Sequence, residues 1–216
     1  MKKTFCFLPL FFLIVSVFGQ TKAEISLPTF DDKYSNFVKQ LEAGQTDINY
    51  KEFRESFIES EQFKIATKRS TEFDSLKTEM YSLMDKKRYQ EIIDVTKKML
   101  SIDYTSMIAH KILRQTYKVI GDTVNAAKYK TMQFGLLNSI VKNGNGQTCA
   151  TAWPVIQVEE EYFILQALGA ELKRQSVDYT NGVCDKMEVK TEEGDKKTYH
   201  FDITKVLEGY KKLGLK

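Results

Sequence analysis

Histidine and cysteine are scarce in this chain, with two His and three Cys among 216 residues. The cysteines form no Cys-x-x-Cys pair and the histidines stand far apart, which leaves neither a zinc-type ligand set nor a dithiol redox site. Of three prolines, none falls between Pro28 and Pro154, so nothing in that stretch interrupts long helices. An excess of charge is also missing. Lys+Arg number 32 against 29 Asp+Glu, and Lys2 and Lys3 supply two of the three surplus charges. A balance this even excludes electrostatically driven nucleic-acid binding. There is no Gly-x-Ser-x-Gly and no glycine loop followed by Lys-Ser/Thr, so no nucleophile elbow, no phosphate loop and no cofactor is expected.

What is present begins with an apolar run. Phe5 to Phe18 carries no charge, follows Lys2-Lys3, and gives way at Gly19 to Gln20-Thr21-Lys22. This is the pattern of a secretory signal, with cleavage near Gly19 and residues 1–19 removed. The run is too short for a spanning helix, and no later stretch is apolar enough to span. Cys6 lies inside the run rather than just after it, a poor place for lipid attachment. The chain is therefore read as exported, periplasmic or secreted. Hydrophobic content of 42%, with 12% aromatic, suffices for a packed core and argues against disorder. Cys149 and Cys184 remain, either bridged, as an oxidising compartment permits, or unpaired in a core that packs without them.

Residues 20–33 read as an exposed lead, and 34–216 as a single α+β domain with a helical part (34–143) and a sheet part (144–216). The first helix places Tyr34, Phe37, Val38 and Leu41 on one face and stops at Gly44. Asp47 then precedes a second amphipathic helix, Tyr50–Phe57, and polar residues 59–71 read as a connection. An internal repeat follows. Ala126, in Gly121-Asp-Thr-Val-Asn-Ala126, lies thirty-four residues after Ile92, the tetratricopeptide period. Before each of these helices lies another, with Leu76, Met80 and Leu83 in the first and Ala109, Ile112, Leu113 and Tyr117 in the second. Thr96 and Tyr104 depart from the aromatic and the proline usual in that repeat.

The periodicity changes at Gly144-Asn-Gly146. Strands are expected at Trp153–Val158, Tyr162–Leu168, Leu172–Thr180, Cys184–Thr191 and Lys197–Ile203, with a hairpin turn at Asn181-Gly182. A last helix would face Val206, Leu207, Tyr210 and Leu213 inward. The expected fold is a tetratricopeptide-like helical half packed on an antiparallel β-meander with a terminal helix.

Few residues suggest chemistry. Glu159, Glu160 and Glu161, placed between two strands, read as acid–base carboxylates, as a cation site, or as a solvated turn. His200 and Asp202 share a strand face, where Asp202 either orients the imidazole or caps the last helix. His110 falls among apolar helix residues and reads as a packed side chain. If the repeat resembles a tetratricopeptide, its first helices would show Lys77, Tyr81, Lys111, Gln115 and Lys118, a surface able to hold a carboxylate or an acidic peptide, or else an ordinary wet face.

Several motifs form an ordered series: Tyr50-Lys-Glu-Phe53-Arg54-Glu-Ser-Phe57, Ala109-His110, Gly144-Asn-Gly146, Thr151-Ala-Trp153-Pro-Val155-Ile156, Glu160-Glu161-Tyr162-Phe-Ile-Leu165, Gln175-Ser176, Asp185-Lys-Met-Glu-Val189 and Tyr199-His-Phe201-Asp-Ile203. Together they resemble the bacterial family catalogued as domain of unknown function 4919, from about Tyr34 to Ile203. The resemblance implies an exported protein and supplies no reaction, ligand or catalytic residue. The functional expectation is a non-catalytic interaction module for an envelope protein or peptide. The alternative is an envelope hydrolase using the clustered carboxylates.

Overall fold

The computed structural model describes residues 23–215, so the expected leader, its cleavage near Gly19, and Cys6 lie outside the described residues. The lead is not free. Ala23 donates its N–H to Asp94 (3.2 Å) and receives Lys97 on its carbonyl (3.0 Å), and Ser26 donates to Ser101 (2.9 Å). These bonds lay the backbone along a helix face, and along the described part of the lead, residues 23–33, exposed residues mix with half-buried ones.

Seven helices follow: α1 (Lys33–Glu42), α2 (Tyr50–Glu59), α3 (Glu61–Lys68), α4 (Ser70–Asp85), α5 (Tyr89–Ile102), α6 (Met107–Val119) and α7 (Thr123–Val141). Side-chain caps start most of them. Asp32 accepts from Ser35 at 2.7 Å, and Asn49, rather than Asp47, accepts from Glu52 at 3.2 Å. The supposed connection 59–71 contains α3. Ser60 caps it by accepting from Phe63 at 3.2 Å, while Phe63 and Ala66 pack on the core. Helices α4 with α5, and α6 with α7, pack as consecutive hairpins. Their relation to tetratricopeptides rests on the 34-residue spacing alone. Gly135 lets α7 meet α2, since a Cβ there would lie 2.3 Å from the Tyr50 ring.

The second part holds β1 (Trp153–Pro154), α8 (Val158–Ala167), β2 (Ala170–Asp178), β3 (Cys184–Thr191), β4 (Lys196–Asp202) and α9 (Thr204–Lys212). The sheet order is β1-β4-β3-β2. Strands β2, β3 and β4 form the expected antiparallel meander, with Asp185 opposite Val177 and Phe201. Strand β1 joins β4 in parallel, so the sheet is mixed. The expected strand Tyr162–Leu168 is helix α8. Phe163, Ile164 and Leu165 are buried in succession because α8 packs against both β2 and α6. In α9, Val206 is buried, whereas Leu207, expected to face inward, is exposed. One core runs through both parts, joining Phe53, Met99 and Leu136 to Ile164, Met187 and Phe201. The fold is α+β.

A disulfide joins Cys149, in a short 3-10 turn (Cys149–Thr151), to Cys184 on β3, with Cα atoms 5.8 Å apart. It holds the glycine loop to the sheet. There Trp153 donates to the Gly144 carbonyl at 3.0 Å, and the Gly146 carbonyl accepts from the His200 backbone at 2.8 Å. Gly146 has a positive φ, and a Cβ there would press within 2.8 Å of the Trp153 ring. Closing a 35-residue separation contributes about 3–4 kcal/mol by restricting the unfolded chain. Replacing both cysteines by Ala is expected to lower the unfolding free energy by about that amount. Urea titration with and without reductant checks it, and the double variant should lose its response to the reductant.

Candidate functional site

A groove of about 610 Å³ opens between the helical part and the sheet part. Its lining comes from places far apart in sequence: Phe57 of α2, Phe63 and Ala66 of α3, Phe73 of α4, Ile108 of α6, Phe163 of α8 and Leu213 beyond α9. Helix α3 brings Phe63 edge-on to Phe57, with centroids 5.4 Å apart. Gly209 permits the approach of α9, since a Cβ there would meet Phe63 at 3.1 Å. Tyr81, Tyr162 and Tyr210 stand at the rim, each 40–46% exposed. An apolar floor with a polar, aromatic rim is the usual form of a binding cleft.

The turn between α5 and α6 sets one polar wall. Buried Asp103 accepts from the Thr105 N–H (2.8 Å) and hydroxyl (2.6 Å), and its second oxygen accepts from Gln157 (3.0 Å). Burial pushes its carboxyl up to about 6, against those hydrogen bonds, and nearby Glu159 adds to the rise. Gln157 thereby ties the start of α8 to this turn.

Glu159, Glu160 and Glu161 occupy the first turn of α8 rather than a link between strands. Carboxylates there suit the positive end of the helix dipole. The three then diverge. Glu159 is exposed on the groove. Glu160 is consumed by Arg54, which donates from Nε (2.7 Å) and Nη2 (2.5 Å), and it also accepts the Ile156 N–H (2.8 Å). Arg54 further donates to Ser139 (3.3 Å) and the Pro154 carbonyl (3.1 Å), so this buried pair joins α2, α7, β1 and α8. Glu161 is fully buried and neither of its oxygens has a hydrogen-bond partner. Burial first, then Asp185, Glu160 and Glu159, push its carboxyl up to about 8. Asp185 is itself buried on β3 and accepts from Gln175 at 2.5 Å.

His200 and Asp202 do not join these carboxylates. His200 is buried beside the glycine loop, with Nδ1 3.4 Å from the Gly146 carbonyl. Asp202 accepts from Thr204 (2.9 Å) at the start of α9. Neither lines the groove. His110 is fully buried, with Nε2 2.7 Å from the Tyr104 carbonyl, and burial pushes it down to about 4. Of the expected binding face, Lys77 and Tyr81 line the groove. Lys111 is not in the lining but contacts two residues that are, 3.3 Å from Gln166 and over the Phe163 ring. Gln115 and Lys118 are exposed and outside the lining. Among the described residues, no three His, Cys, Asp or Glu side chains converge as a metal-ligand set. In a second hollow of about 440 Å³, Lys128 is held by Glu42 (2.9 Å) and Lys97 by the Ala23 carbonyl (3.0 Å).

Comparison with known proteins gives one match. The family model described as Domain of unknown function (DUF4919) matches residues 22–212. No curated protein and no solved structure matches.

Proposed function

We propose that this chain, which belongs to the family described as Domain of unknown function (DUF4919), is an exported, non-catalytic interaction module of the cell envelope whose groove receives an apolar-anchored segment of a partner protein or peptide. The groove itself carries this reading, being about 610 Å³ in volume and walled by aromatic and aliphatic side chains from several elements. Export is supported by the charged start, the apolar run and the small residue Gly19. It is supported also by a disulfide, which persists in oxidising compartments. No helix among the described residues is long and apolar enough to cross a membrane. The interaction reading is favoured over the hydrolase alternative because Glu160 is held by Arg54 and neither His200 nor Asp202 lines the groove.

A photo-crosslinking residue at Tyr81, on the groove rim, tests the reading in the protein's own cells. The control is the same residue at Val124, which is 77% exposed and outside the lining. A discrete adduct is expected from position 81 only, and Ala66→Trp, which fills the groove, should abolish it in a folded protein. Equal adducts from both positions, or none from either, would defeat the proposal.

A further inference from the structure

The charges on the groove narrow its occupant. Lysines on the first helices of the repeat suggest an acidic ligand, but the groove carries the opposite bias. Among the described residues its charged lining consists of Asp74, Asp103, Glu159 and Glu160 against Lys77 alone. Glu160 is neutralised from behind by Arg54. Lys77 lies one helical turn from Asp74 on α4, and with Arg54 it leaves the lining carboxylates in excess. Neither Asp74 nor Glu159 makes an ion pair among the described residues, and Glu159 lies close enough to raise the proton affinity of Asp103. Low-dielectric walls focus this surplus of negative charge into the cleft.

A second observation points the same way. Tyr81, Tyr162 and Tyr210 line the groove and keep 40%, 46% and 42% of their surface exposed. Exposed tyrosine faces beside carboxylates are the surroundings in which ammonium and guanidinium groups are held, by ring quadrupole and by charge-assisted hydrogen bonds. The apolar floor below takes aliphatic or aromatic anchors.

Resting on the interaction-module reading, we infer that the groove selects an amphipathic peptide segment that sets Lys or Arg side chains beside apolar anchors. The basic groups lie against Glu159 and Asp74 under the tyrosine rim, and the anchors enter between Phe63, Phe73 and Phe163.

Twin probes test it. One is a short fluorescent peptide with Leu and Phe along one helical face and Lys on the other. Its twin carries Glu in place of each Lys. Anisotropy titrations against the disulfide-intact chain are expected to show the Lys probe binding ~10-fold or more tightly, with affinity falling as salt rises. Asp74→Asn with Glu159→Gln should bring the twins together while uptake of Nile red, a neutral apolar dye, stays unchanged. Equal binding of the twins by the unaltered chain, or tighter binding of the Glu probe, overturns the selectivity and leaves the groove reading standing. Neither twin binding while Nile red is taken up overturns the basic-peptide occupant. No uptake of Nile red and no binding of either twin overturns the groove reading itself.

Discussion

Arg54→Met is expected to lower the unfolding free energy by about 3–5 kcal/mol, because it strands a carboxylate in the core. Arg54 and Glu160 are 2% and 4% exposed. Their two contacts, at 2.7 and 2.5 Å, are the fork-to-fork geometry that only a guanidinium provides. Without Arg54, Glu160 keeps one donor, the Ile156 N–H, and the Pro154 carbonyl and Ser139 lose theirs. Met preserves the apolar volume of the stem, so the loss reports charge rather than a cavity. Attraction between buried ions is largely offset by their desolvation, and removing both should therefore cost far less than removing one. Arg54→Met with Glu160→Leu is expected to recover most of the deficit. Denaturant midpoints of the two single variants and the double variant close the cycle. A loss under about 1 kcal/mol for Arg54→Met would mean that Glu160 reaches water or takes up a proton at little cost. The outcome bears on function, since this pair seats the start of α8, which forms one wall of the groove.

How much of this was legible beforehand depends on the range of the interactions. Helices α1, α2 and α4 to α7 follow from periodic apolar residues, helped in α1, α2, α6 and α7 by side-chain caps within a few positions. Helix α8 did not show itself as a helix. Tyr162–Leu165 is a continuous apolar run, which a buried strand and a helix buried on several sides produce alike. Signals for the helix were present in Glu159–Glu161, suited to a first turn, and in Gly169, which takes a positive φ just past the end. Helix α3 was hidden by its polar composition, although Ser60 with Phe63 and Ala66 marked a cap and a buried face. The parallel pairing of β1 with β4 is a long-range contact that no local pattern encodes.

The site divides in the same way. Lys77, Tyr81, Glu159 and Glu160 were singled out as candidates and do line the groove. Their roles were not legible, because Arg54 is 106 residues from Glu160 and the aromatic floor is assembled from four helices. The reading of an acidic ligand, set beside that of an ordinary wet face, came from the lysines on one surface. Asp103 and Glu159, which line the same cleft from other parts of the chain, lay outside that count.

The protein should lose stability as pH rises from 6.5 to 8, and Glu161→Gln should remove most of that loss. Folded Glu161 holds its proton up to about pH 8, whereas in the unfolded chain it releases the proton near 4.5. Between those values the folded state binds more protons, so stability declines as pH climbs, and above 8 the full penalty is in place. The groups around it favour the neutral form: buried Asp185 on β3 and Glu159 and Glu160 on its own helix. Asp103, raised to about 6, acts with the same sign but is spent below 6.5. His110 acts with the opposite sign. It stays neutral in the fold down to about 4, against an ordinary value of 6.5, so it destabilises the fold as pH falls through 6.5 and its effect fades above about 7. From 6.5 to 8 Glu161 therefore dominates the decline. At about 1.4 kcal/mol for each tenfold change in proton binding, the decline across it is ~2 kcal/mol. Gln brings an amide whose donors find no evident partner, a pH-independent loss of about 1–3 kcal/mol. The slope, not the absolute stability, is thus the quantity to compare. Urea midpoints at several pH values through this interval should fall for the parent chain and stay level for the variant. A level parent would show that Glu161 ionises with ordinary affinity, and that the cluster of Glu161 and Asp185 is open to solvent in solution.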